Sequence, residues 1–239
     1  KNMIELKERP KNPTIIEGFP GFGFVSTIAT EFLIKHLNAK KIGKFSISNL
    51  APMVVIHNSE IVNPLEIFYD KKSNIIILRA LGNVAGAEWE IASEISKLAK
   101  DLKAKEIVSI EGVSSTKTLE KKDSEVAKVY FYTNQKKKMG KMDVQNLENG
   151  IVMGVTGVLL LDSDNFPMSC IFAEADPNLP DSRAAGEVIK VLDKYLGLKI
   201  DYRPLIKTAE EVEGKLKDLI TKIKTSSEQK DKKENSYYG

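Results

Sequence analysis

The amino-acid sequence predicts an α/β fold, a mostly parallel sheet covered on both faces by helices. Three observations lead there. Thr14–Gly18 is a short apolar run ending in glycine, Pro20-Gly21 forces a turn after it, and residues 24–37 then carry apolar side chains at helical spacing. The order of strand, turn and helix returns at residues 75–102, with Gly82 and Gly86 in the turn, and again at 169–196, with Pro177 and Pro180 in the turn. Between these units lies one hairpin pattern, so strands and helices alternate through most of the chain.

Taken in order, residues 1–12 are polar, and Pro10 and Pro13 bracket a lead-in suited to an edge strand. In the first helix Val25, Ile28, Ala29, Phe32, Leu33 and His36 or Leu37 recur at three- and four-residue steps, one apolar face. Lys40-Lys41-Ile42-Gly43 begins a strand running through Phe45 and Ile47, which the apolar run 53–57 is expected to continue or flank. Leu65-Glu66-Ile67-Phe68-Tyr69 and Ile75-Ile76-Ile77-Leu78 flank the polar loop Asp70-Lys71-Lys72-Ser73-Asn74, a hairpin whose second arm, 75–81, reads as a buried central strand.

After a turn at 82–86, the helix 87–102 is expected to turn Trp89, Ile91, Ala92, Ile95, Leu98, Ala99 and Leu102 inward. Trp89, the only tryptophan, reads as a core or interface anchor. Residues 105–110 give the next strand, 111–124 a long polar loop, and 126–132 a further strand. The basic run Gln135-Lys136-Lys137-Lys138-Met139-Gly140-Lys141 reads as a solvated turn or short exposed helix; contact with an acidic partner is the sharper alternative. Residues 151–161, interrupted by Gly154 and Gly157, suggest a strand, a glycine turn and a short helix. Residues 169–175 form the last central strand. Asp181 then caps a helix to Leu196 with Ala184, Ala185, Val188, Ile189, Val191, Leu192 and Tyr195 inward, and Gly197 closes it.

With 239 residues, the chain suits one domain and an appendage: an α/β body over 1–204, a helix over 205–224 and a flexible tail over 225–239. Lys and Arg total 36 against 33 Asp and Glu, and the interspersed signs argue against a dedicated nucleic-acid binder. Cys170 is the single cysteine, which suits a reducing compartment. No stretch approaches the roughly 18 apolar residues of a membrane span, so a soluble, cytoplasmic protein is expected.

The motifs of chemistry are thin. Gly21-Phe22-Gly23-Phe24-Val25-Ser26 approaches a dinucleotide fingerprint, but Ser26 replaces its third glycine. Lys40, Lys41 and Gly43 stand where an acid should meet the ribose, and no phosphate loop is present. His36, His57 and Cys170 lack metal-ligand spacing, and no Gly-x-Ser-x-Gly elbow occurs. Glu17, Glu111, Glu174 and Asp176 fall near carboxyl ends of expected strands, with Ser114, Ser115 and Thr116 able to hold an anion. These are the residues an enzyme would use; polar loops there are also common to the fold class, and neither catalysis, cofactor nor metal is expected.

Beyond Pro204 the character changes. Thr208-Ala209-Glu210-Glu211 is a capping box, and Ala209, Val212, Leu216, Leu219 and Ile223 form an a/d seam. The seam would pack either on the chain's own core or against other copies, supporting an oligomer that domain contacts already hold. Residues 225–236 contain no apolar side chain and read as flexible, yet the sequence closes on Tyr237-Tyr238-Gly239.

Glu17-Gly18-Phe19-Pro20-Gly21-Phe22-Gly23-Phe24-Val25 resembles the opening signature of the proteasome assembly chaperone family, with Gly18, Phe19, Pro20, Gly21 and Gly23 forming its turn. Gly86-Ala87-Glu88 and Pro180-Asp181-Ser182-Arg183-Ala184-Ala185 agree, and the resemblance spans residues 13–196. It implies a three-layer fold like that of nucleoside phosphorylases without their catalytic apparatus, and work on proteasome assembly or docking. In that light the ending is similar to the hydrophobic–tyrosine–any-residue tail that docks between proteasome α subunits. Tyr237 would be the hydrophobic contact, Tyr238 the penultimate tyrosine and Gly239 the free carboxylate. The implied partners are the α subunits or the 20S core particle, met by a homo-oligomer. A small-molecule enzyme of phosphorylase or hydrolase type, or an oligomeric scaffold for another partner, are the alternatives.

Overall fold

The computed structural model describes residues 3–48, 50, 54–57, 59–114, 126–138, 142–177, 179–207 and 214. The elements are β1 (Ile4–Leu6), β2 (Thr14–Gly18), a 3-10 turn (Phe22–Phe24), α1 (Val25–His36), β3 (Lys40–Phe45), β4 (Val55–His57) and β5 (Glu60–Val62). They continue with β6 (Leu65–Asp70), β7 (Ile75–Ala80), α2 (Glu88–Leu102), β8 (Glu106–Ser114), β9 (Val129–Thr133) and β10 (Gln145–Asn146). Last come α3 (Gly154–Leu161), β11 (Met168–Ala175), α4 (Ser182–Leu196) and α5 (Arg203–Lys207).

Among the described residues one sheet runs in the order β1-β3-β6-β7-β2-β8-β11-β9-β10. Its centre, β7-β2-β8-β11, is parallel throughout. These four strands read as near-continuous apolar runs because helices cover both of their faces. The flank β1-β3-β6-β7 is antiparallel, as is the pairing of β9 with β11, so the sheet is mixed at its edges. The lead-in does pair as an edge strand, β1 on β3.

Strand alternation divides the core in two. Ile15, Ile76, Leu78, Ile107, Cys170 and Phe172 point to the face covered by α2 and α3. Their neighbours Ile16, Ile75, Ile77, Val108 and Ile171 point to the face covered by α1, α4 and α5. Helix ends follow the sequence signals closely. Asp181 accepts a hydrogen bond from the Ala184 backbone N–H at 2.9 Å, and Gly197 closes α4 at φ +67°.

Several expectations need correction. The run 53–57 neither continues nor flanks β3; its described part, β4, pairs with β5 in a separate two-stranded sheet, where Ile56 and Ile61 face each other at exposed positions. Trp89 is not inward but 69% exposed, because it stands two positions from both Ala87 and Ile91, which are buried, and so lies on the opposite side of the helix. The expected polar loop from 111 begins later, since β8 keeps its register with β11 as far as Ser114. Residues 151–153 form no strand before α3, whose Gly154 lies at φ +71°. His36 is exposed and stacks on half-buried Phe32, while Ile34 takes a place in the core. Lys138 of the basic run is not simply solvated: it reaches the buried Glu106 carboxylate at 2.9 Å and the Tyr195 hydroxyl at 2.8 Å. The seam (Ala209, Val212, Leu216, Leu219, Ile223) and the tail (Tyr237, Tyr238, Gly239) lie outside the described residues, as do Ser115 and Thr116.

Candidate functional site

The signature turn sits at the carboxyl edge of the parallel centre, where β2 hands over to α1. Each of its glycines is a point of close approach. A Cβ on Gly18 would come within 2.8 Å of Ser26 Cβ in α1. One on Gly21 would collide with the Glu111 carboxyl on β8, and one on Gly23 would sit 2.5 Å from Ala175 at the end of β11. Gly112 of β8 completes the fit, because a Cβ there would strike the Phe22 carbonyl oxygen. Gly23 takes φ +62° and Phe24 follows at φ +49°, a left-handed pair of which the second costs about 1 kcal/mol for a residue with a side chain. The Asp181 N–H holds the turn by donating to the Gly23 carbonyl at 2.8 Å.

The aromatic residues of the turn are divided between the two cores. Phe19 is buried on the α2–α3 side, and Phe24 packs against the α1–α4 side. The turn therefore pins both layers to the sheet edge. The space above Gly21 is filled by the Glu111 carboxyl, which occupies the room a pyrophosphate would need.

Under α3 lies a cluster of polar groups. Glu17 and Ser109 are register partners on β2 and β8, and Glu111 follows Ser109 on the same face. Glu17 is fully buried; the Ser109 hydroxyl donates to its Oε1, and its Oε2 has no protein partner. Thr156, in the first turn of α3, places its hydroxyl 3.1 Å from Glu17 Oε1 and 3.0 Å from Glu111 Oε2. Burial pushes the Glu17 carboxyl up to about 7, with Ser109 and Thr156 pulling weakly the other way. Burial and then the Glu17 charge push Glu111 up to about 8, against the Thr156 hydrogen bond.

A threonine hydroxyl carries a single hydrogen. It donates to one of the two carboxyls, so the other must be a carboxylic acid donating to Thr156. Burial raises both acids, so one of the pair holds a proton and supplies that donor. The cluster is thus a proton-holding seat for α3. Cys170 stands in the same row opposite Ser109, and burial, then the Glu17 charge, raise its thiol well above the ordinary value.

The other acids do not join this cluster. Glu174 accepts from the Tyr130 hydroxyl at 2.7 Å, and Asp176 accepts from the Leu179 N–H at 3.2 Å. Among the described residues no three His, Cys, Asp or Glu side chains converge as metal ligands. Sequence reasoning missed Ser109 and Thr156. Ser109 was detectable as the one hydroxyl in the apolar run 107–110, but Thr156 becomes relevant only once α3 is laid across β2 and β8.

Comparison with known proteins agrees with this frame. Residues 15–220 match the model of the PAC2 family. A protein of Methanocaldococcus jannaschii, the uncharacterized protein MJ0106, is 30% identical over 226 residues, covering 92% of this chain and 90% of the relative. The crystal structure of Pyrococcus furiosus PbaA, described as an archaeal homolog of proteasome-assembly chaperone, superposes with a TM-score of 0.81 at 28% identity, covering 94% of this chain and 99% of the other. Pyrococcus furiosus PbaB, described as an archaeal proteasome activator, superposes with a TM-score of 0.73 at 25% identity, covering 90% and 97%. On the match across most of its length and the structural likeness together, this chain belongs to the PAC2 family.

Proposed function

We propose that this protein is a non-enzymatic proteasome assembly chaperone or activator that docks its C-terminal segment into the α-ring of the 20S core particle. The observation that carries this reading is the sequence Tyr237-Tyr238-Gly239 on a polar leash, in a chain whose structural relatives include a described proteasome activator. In this reading a receptor lysine pairs with the Gly239 carboxylate, a charge-assisted contact about twice as strong as a neutral hydrogen bond. The Tyr238 ring is buried while its hydroxyl finds a polar partner. One tail makes few contacts against the ordering entropy of residues 225–236. Several tails on one homo-oligomer would raise avidity by about 10² to 10⁴, which gives the seam helix a role in the same mechanism.

The buried acids give an enzymatic reading little support. Glu17 is closed off beneath α3 and its proton partners are the chain's own Ser109, Thr156 and Glu111. Co-sedimentation with an archaeal 20S core particle tests the proposal. Tyr238→Ala should abolish it, and so should one residue appended after Gly239, because the slot needs a carboxylate at that position. Undiminished binding of both variants overturns tail docking.

A further inference from the structure

Few side chains hold α3 to the sheet. Of its eight residues only Val155, Thr156 and Leu159 are buried. Both ends offer hinges. Gly154 takes φ +71° with open space where a Cβ would stand, and a 3-10 turn, Ser163–Asn165, follows the helix. On the outer surface Val158 and Leu161 of α3 form a groove with Trp89 and Ala92 of α2.

Beneath the helix one hydroxyl bridges two carboxyls. Thr156 Oγ1 lies 3.1 Å from Glu17 Oε1 and 3.0 Å from Glu111 Oε2, and its single hydrogen answers only one of them. With a proton on the pair, both contacts are hydrogen bonds. Without it, one contact sets lone pair against lone pair, and two negative charges lie under α3. Glu17 is fully buried and its Oε2 has no partner among the described residues, so the closed helix offers an ionised pair little compensation.

No cation offsets that charge. Beside the pair, β8 contributes Ser109, β11 the Cys170 thiol, and β7 the apolar Leu78. Farther along β11, Glu174 is engaged by the Tyr130 hydroxyl. Residues 18–26 of the turn and 154–161 of α3 contain no titratable side chain. The charged groups of α2 are Glu88, Glu90, Glu94, Lys97, Lys100 and Asp101, and none of them acts on either acid.

We propose that α3 is a proton-controlled flap: the protonated Glu17–Glu111 pair clamps it to the sheet through Thr156, and the ionised pair releases it, taking apart the groove beside Trp89. This goes beyond the tail docking proposed above, and its test involves no proteasome. The sign follows from the closed-state values, about 7 for Glu17 and about 8 for Glu111, against 4.5 for an unperturbed glutamate. Closing takes up protons, so opening is rarest below pH 4.5 and grows as pH rises to about 8. Each proton held only in the closed state changes the opening constant by up to about tenfold per pH unit.

Hydrogen exchange of the full chain tests this, corrected for the intrinsic pH dependence of amide exchange. Between pH 5 and pH 8, protection over 154–161 should fall by about 100-fold or more, while β2, β8 and α4 keep theirs. Emission from Trp89, the sole tryptophan, should shift over the same range as Val158 and Leu161 leave its side. Glu17→Gln/Glu111→Gln has no such proton to lose and should abolish both changes. The comparison of α3 with α4 in the parent decides the matter even where the double variant does not fold. Level protection over 154–161, or a fall shared equally by α4, overturns the proposal, as does a folded double variant that keeps the pH response.

Discussion

Helix α3 separates two regions that invert the usual rule of apolar inside and polar outside. Its inner face sets Thr156 on a pair of buried acids, while its outer face turns Val158 and Leu161 to water beside Trp89. In the inner region the polar groups are answered within the chain, with Glu17 Oε2 the exception among these side chains. In the outer region Trp89 and Leu161 stay largely exposed, and Val158 is only partly covered by the core. A buried polar cluster whose members satisfy one another fixes where an element sits; it is closed to other molecules. An apolar groove left open leaves free energy for association. The difference assigns structure to the sheet edge and recognition to the helix surface.

If the inner region is structural, damage there must appear as lost stability. The largest effect is expected for Gly112→Ala, because both sides of the clash, Gly112 and the Phe22 carbonyl, are backbone. Overpacking of this kind costs about 3 kcal/mol or more. Urea unfolding should show the midpoint falling accordingly. A midpoint within error of the parent would mean that the signature turn is not wedged against β8.

Next in size is the pH dependence. In the fold Glu17 and Glu111 titrate at about 7 and about 8, against 4.5 for an unperturbed glutamate. The native state therefore holds protons that the unfolded chain has released, and stability falls as pH rises from about 4.5 through about 8. The change is on the order of a few kcal/mol, with both acids contributing. Glu66 acts in the opposite sense: burial would raise it, but Lys41 and Arg79 overcome that and hold it low, so its contribution is lost as pH falls below about 4.5. The double variant Glu17→Gln/Glu111→Gln should flatten the decline between pH 5 and pH 8. A parent protein equally stable at both values would remove the shared proton from the account.

Thr156→Val should have a smaller effect, about 1 to 3 kcal/mol, because it leaves both carboxyls without their bridge. Thr156→Ser keeps the hydroxyl and should recover most of the loss. Equal losses in the two variants would show that the methyl group, not the hydroxyl, seats the helix.

How much of this was legible in the sequence depends on the range of the interaction involved. Asp181, Gly197 and the hairpin loop 70–74 act within a few residues, and their signals gave the ends of α4 and the β6–β7 turn directly. The signature turn was legible as glycines at fixed places, but the reasons lie in Glu111, Gly112 and Ala175, far along the chain. Glu17 and Glu111 were singled out by their place at strand ends, yet their bridge Thr156 is 139 residues from Glu17. The separate β4–β5 sheet and the exposure of Trp89 share one cause. Apolar content predicts that a residue is worth burying, but not that the chain supplies the cover.

The last prediction tests the outer region by expecting almost nothing. Leu161 touches water over 75% of its surface. Leu161→Ser should move the folding free energy by less than about 0.5 kcal/mol, the range of ordinary surface changes. A loss of about 2 kcal/mol or more in urea unfolding would place Leu161 among residues the body needs for its own stability. The contrast between the two sides of α3 would then collapse into one continuous core.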